Sequence, residues 1–150
     1  DDHYDGNIGG SDGGSDGGSD SIDIRQIVFG GDGKDKISGG RWSDALFGGA
    51  GDDDIKGHGG NDILVGGDGK DKLHGGHDSD LLIGGILGID FGSVSVIDDI
   101  DAAMMQWATN GMADALLGLG PIIDDEDKDD LFGDQDDDEL LGSSSDKLKQ

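Results

Sequence analysis

No cysteine occurs in this chain, so disulfides contribute nothing to its stability and its redox compartment is immaterial. Lysine and arginine number ten against 35 acidic residues and form no patch, which excludes a nucleic-acid partner. No apolar run approaches the ~20 residues of a membrane-spanning helix. Proline occurs once, and the aromatic residues are two Trp, one Tyr and four Phe. Glutamate is confined to Glu126 and Glu139, so nearly all the acid is aspartate. The chain starts at Asp1 with neither Met nor an apolar signal region. It reads as a fragment, a processed product, or a protein exported by a route without an N-terminal signal.

What is abundant is glycine, at 32 residues, and negative charge, at a formal net of -25. Asp and Gly favour loops over helices and strands. With 32% hydrophobic residues, such a composition describes a disordered acidic polymer unless something neutralises the carboxylates.

The order of the residues changes that reading. From Gly30 the chain runs in nines: GGDGKDKIS, GGRWSDALF from Gly39, GGAGDDDIK from Gly48, GHGGNDILV from Gly57, GGDGKDKLH from Gly66 and GGHDSDLLI from Gly75. Position one is always Gly. Position six is always Asp: Asp35, Asp44, Asp53, Asp62, Asp71 and Asp80. Position eight is always Ile or Leu: Ile37, Leu46, Ile55, Leu64, Leu73 and Leu82. Positions seven to nine predict a short strand with position eight inward. The glycines predict tight turns with positive φ. Two units per coil put Asp35, Asp53 and Asp71 along one edge and Asp44, Asp62 and Asp80 along the other.

Rungs about 4.8 Å apart bring facing carboxylates into repulsion of about 3 kcal/mol at an effective dielectric near 20. A hard divalent cation reverses that sign, and an all-oxygen ligand set suits calcium.

The pattern Gly-Gly-x-Gly-x-Asp-x-aliphatic-x over residues 30–85 resembles the RTX nonapeptide repeat of type I-secreted bacterial toxins, proteases, lipases and adhesins. That resemblance implies an all-β fold dominated by a right-handed parallel β-roll, secreted and extracellular, with calcium as its cofactor. It implies the six position-six aspartates as side-chain ligands. Carbonyls around positions one, three and five, at Gly30, Asp32, Gly48, Ala50, Gly57, Gly66 and Asp68, would complete the sites. Trp42 and Asp78 replace the position-four Gly and are expected to distort their loops, leaving about four or five well-made sites.

The two sheets differ. One shows Lys36, Ser38, Asp54, Lys56, Lys72 and His74 outward; the other shows Ala45, Phe47, Ile63, Val65, Leu81 and Ile83. The apolar face needs a cover. Within residues 86–123, a capping box at Ser95 and Asp98 and the spacing of Ile97, Ile100, Met104, Trp107, Ala108 and Gly111 predict one or two amphipathic helices. They either pack on the Phe47/Val65/Ile83 sheet or leave that face to another domain or chain.

The acidic block 124–142 keeps the period, with Asp129 and Asp138 at position six. It reads either as degenerate repeats, which adds these two to the ligands, or as an acidic tail. Residues 1–20 read as a flexible linker, 21–29 as a capping strand and 143–150 as a frayed tail without a convincing export signal. No zinc-protease, serine-elbow or cysteine-nucleophile motif is present, and His74 and His77 read as solvated rather than metal-binding. The function expected is a calcium-dependent folding module, not an enzyme. The alternatives are an acidic adhesion protein for a mineral, ice or partner surface, or the C-terminal stabilising region of a secreted hydrolase.

Overall fold

The computed structural model describes residues 3–5, 25–88, 100, 102, 121–123, 125, 127–135, 138–142 and 146–150. Wherever an aliphatic residue sits between two outward positions, the chain runs as a strand. In chain order these are β1 (His3–Asp5), β2 (Ile27–Asp32), β3 (Lys36–Ser38), β4 (Ala45–Ala50), β5 (Asp54–Gly59), β6 (Ile63–Asp68) and β7 (Lys72–His77). They continue as β8 (Leu81–Ile83), β9 (Ile86–Leu87), β10 (Ile122–Ile123), β11 (Asp130–Asp134), β12 (Glu139–Leu141) and β13 (Lys147–Lys149).

Successive strands alternate between two parallel sheets. One has the order β1-β3-β5-β7-β11-β13, the other β12-β8-β6-β4-β2. The result is a parallel β-solenoid of about five turns. Position-eight residues stack in register: Ile37 on Ile55, Ile55 on Leu73 and Leu73 on Leu131. Val28, Leu46, Leu64 and Leu82 do the same in the facing sheet. Together they form the inner core, with Leu46, Ile55, Leu64, Leu73, Leu82 and Leu131 fully buried. From β2 to β8 each step is 18 residues, as from Asp53 to Asp71, but the step from Asp71 to Asp129 is 58. The coil is interrupted after β8 and resumes in phase at β11, because the 124–142 block carries the same Asp-x-Leu spacing. An antiparallel pair of β9 and β10 closes the base of that detour.

A second core lies outside the β2–β12 sheet. Ala45, Phe47, Ile63, Val65, Leu81 and Ile83 are buried there together with Leu87 and Ile100. The apolar face is thus buried over β4, β6 and β8, with β9 and Ile100 among the residues on it, while Phe29 on β2 stays 43% exposed. The helices expected within 95–121 fall outside the described residues apart from Ile100 and Ala102, and no helix is defined as an element among the described residues. None of those residues forms a helix long and apolar enough to cross a membrane.

Both ends depart from the sequence reading. Within the stretch read as linker, His3–Asp5 pairs with β3. Within the tail read as frayed, Lys147–Lys149 pairs with β11, because Asp146 and Leu148 repeat the Asp-x-Leu spacing once more. That last rung is thinly packed, with Leu148 46% exposed.

Candidate metal centre

Strand-to-turn boundaries place every position-six aspartate at the lip of the inner core. Asp44, Asp62 and Asp80 are fully buried, and Asp35, Asp53, Asp71, Asp129 and Asp138 nearly so. Buried carboxylates demand partners, and half the demand is met by the backbone. The N–H of Asp35 donates to Asp53 Oδ1, that of Asp53 to Asp71 Oδ1 and that of Asp71 to Asp129 Oδ1, each at 2.8 Å. Asp146 extends this first edge by accepting from Asp129 N–H at 3.1 Å. On the second edge Asp44 donates to Asp62, Asp62 to Asp80 and Asp80 to Asp138, at 2.7–2.9 Å.

The other oxygen is left over. Oδ2 of Asp53, Asp62, Asp71, Asp80 and Asp129 is buried without a hydrogen-bond partner. These oxygens lie over the position-one glycine of their own repeat, and at Asp53, Asp62 and Asp71 a carbonyl of the next rung also arrives. A Cβ added at Gly66 would collide with the Asp71 carboxylate and lie 2.6 Å from the Gly84 carbonyl oxygen. Gly48 and Gly57 sit in the same cradle, against Asp53 with Gly66 O and Asp62 with Gly75 O.

Position one is therefore glycine because the space is taken. The positive φ expected of the turn falls instead at positions two and four, as at Gly67 (+114°) and Gly69 (+120°). Asp78 at position four adopts φ +72° in a glycine's place, so the Gly75 loop keeps its form. The Gly39 loop, with Trp42 at position four, contains no positive φ.

Burial pushes the Asp62 carboxyl up to about 9, with the N–H of Asp44 pulling against it and the neighbouring Asp80 and Asp44 adding to it. Burial likewise lifts Asp71 and Asp80 to about 8 and Asp129 to about 7. Asp44 and Asp53 are raised from the same first cause. Without a counter-charge, the ionised ladder is under strain.

The orphaned oxygens and glycine cradles fit a hard, oxygen-seeking cation. No group of three or more His, Asp or Glu side chains among the described residues could hold a metal, so backbone carbonyls have to complete any site. Of the carbonyl positions named from the sequence, Gly48 and Gly66 lie in the cradles with Asp53 and Asp71, and Gly57 in that with Asp62. Asp32, Ala50 and Asp68 end strands β2, β4 and β6 on the same edge. Gly30 lies beside Asp35 and the Gly48 carbonyl.

The sequence reading missed three members. Gly84 is the position-one glycine for Asp129 across the detour, and it continues the nine-residue phase from Gly75. Asp146 lies beside Gly142 but eight residues after Asp138, out of phase. Gln26 takes the position-six place before Asp44, which counting back from Asp35 would have found.

Three histidines share a different place. His58, His74 and His77 line a cavity of about 470 Å³ with Lys56 and Asp134. His74 Nδ1 meets Asp134 Oδ2 at 3.1 Å and His58 Nε2 meets Ser38 Oγ at 2.8 Å.

A family model described as the RTX calcium-binding nonapeptide repeat (4 copies) matches residues 29–64 and 57–86. No curated protein and no solved structure matches the chain.

Proposed function

We propose, from the match of the RTX calcium-binding nonapeptide repeat model to residues 29–86, that the chain is a calcium-folded module of a secreted bacterial protein. The observation that carries this is the row of buried Oδ2 atoms without hydrogen-bond partners. Burying an ionised carboxylate with half its acceptors unmet costs several kcal/mol. A bound divalent cation converts that cost into binding free energy, which in a chain of net charge -25 is also folding free energy.

The residues that would hold the ions are Asp35, Asp53, Asp71 and Asp129 on the first edge, with Asp62, Asp80 and Asp138 on the second. Carbonyls such as those of Gly48, Gly66, Gly75 and Gly84 would serve alongside them. Calcium supplies the positive charge; the chain supplies the glycine cradles, the exclusion of water and the N–H donors that fix each Oδ1. The low calcium of a cytosol would leave the chain unfolded for type I export, and the millimolar calcium outside would fold it. Extracellular calcium modules bind at roughly 10⁻⁴ to 10⁻³ M, the range such a switch needs.

The test is a calcium titration followed by far-UV circular dichroism. The expected result is a cooperative coil-to-β transition at or below the millimolar range. Magnesium, which demands near-ideal octahedral geometry and dehydrates reluctantly, is expected to substitute poorly. A flat calcium titration, or equal folding in magnesium, rejects the proposal.

A further inference from the structure

Asp44 shares its neighbours' cradle, lying over Gly39 with the Gly57 carbonyl, but not their unpaired oxygen. Its Oδ1 accepts from Gln26 N–H at 2.8 Å, and its Oδ2 accepts from Gly40 N–H at 2.8 Å. Both oxygens of this fully buried carboxylate are thus satisfied by protein donors. On the same edge, Oδ2 of Asp62 and of Asp80 has no hydrogen-bond partner.

The loop is the cause. Further along this edge, His58 and Gly60, then Gly76 and Asp78, take positive φ, while no residue between Gly39 and Asp44 does. Trp42 stands where the left-handed residue would be. In this loop it is the Gly40 N–H that reaches the carboxylate of its own repeat.

The rung before Asp44 is also different in charge. Gln26 occupies the ladder place that Asp44, Asp62, Asp80 and Asp138 hold later. A neutral amide there adds no anion next to Asp44. Its Nε2 lies 3.7 Å from where a Gly40 Cβ would be. A cation approaching Asp44 Oδ2 would meet the positive end of the Gly40 N–H dipole and would have to displace that bond.

We propose that Asp44 is not a cation ligand and that Gln26, Gly40 and Asp44 form a metal-free hydrogen-bonded cap. The cation ladder of the second edge then starts at Asp62, and the first edge carries more ions than the second. This rests on the calcium reading above, and the experiment separates the two.

Calcium binding is measured by calorimetry on the whole chain as wild type, Asp44→Asn and Asp62→Asn, with thermal unfolding at saturating calcium. Asp44→Asn is expected to bind the same number of ions, with a midpoint within twofold of wild type, while its Tm falls by several degrees. Asp62→Asn is expected to lose at least one ion. Loss of an ion in Asp44→Asn as well overturns the cap and leaves the ladder standing. No change in either variant removes the calcium reading and the cap with it. Should Asp44→Asn not fold, Trp42→Gly decides: restoring the glycine is expected to add an ion at this loop, and an unchanged count overturns the proposal.

Discussion

At the scale of single residues, two kinds of glycine do different work. Gly66 has no room for a side chain, since the Asp71 carboxylate and the Gly84 carbonyl already fill the place. Gly31 has open space but φ +106°. Alanine at Gly31 therefore carries only backbone strain, of order 1–3 kcal/mol, and is expected to shift the calcium midpoint modestly. Alanine at Gly66 must displace both backbone and ligand and is expected to cost more than about 3 kcal/mol. Parallel calcium titrations check this, and equal effects would refute the cradle. A second contrast concerns the carboxylates. Sequence position makes Asp53 look central and Asp129 peripheral. In the coil each accepts one N–H from the rung before and donates one to the rung after. Asp53→Asn and Asp129→Asn are therefore expected to weaken calcium-induced folding to a similar degree in the same titration.

At the scale of elements, the two sheets carry different loads. Phe47 on β4 is 5% exposed, packs in the outer core and stacks on Phe29 with ring centroids 4.9 Å apart. Phe47→Asp places an unpaired charge there and is expected to destabilise the calcium-loaded form by about 4 kcal/mol, read as a fall in the denaturant midpoint. On the other sheet, Phe132 of β11 is half-buried, stacked on His74 at 4.6 Å and capped by Lys149 at 5.2 Å. Phe132→Ala is expected to cost about 1 kcal/mol, the worth of such exposed contacts. A larger loss from Phe132→Ala than from Phe47→Asp would mean that the assignment of faces is inverted.

At the scale of the whole molecule, charge decides whether the coil exists. The ladder carboxyls are raised from about 4 in an unfolded chain to about 7–9 in Asp62, Asp71, Asp80 and Asp129. A raised carboxyl stabilises the fold below its unfolded pKa and loses that contribution as pH rises through the folded value. The metal-free chain is therefore expected to gain β structure on acidification, most of it between pH 9 and 4, while the calcium midpoint rises because protons compete for the same oxygens. Circular dichroism against pH, with and without a chelator, reads both. A metal-free chain that folds better at pH 9 than at pH 5 would contradict the buried ladder.

The sequence alone was enough for the period, the inward aliphatic stack and the two rows of aspartate. Each follows from alternation along a strand and from a repeat of fixed length, both local properties. It also exposed the apolar sheet face, since outward residues can be counted off. Local spacing could not carry the register across the 58-residue step that brings Asp129 above Asp71, because a detour's length says nothing about where its ends meet. Nor could it show that Asp146 and β13 close the first edge one residue out of phase. At Asp44 position six is Asp as in the other five repeats, and only the folded loop turns Gly40 N–H onto its carboxylate. A hydrogen bond depends on the φ of the residues between its ends, and that is settled when the rungs stack.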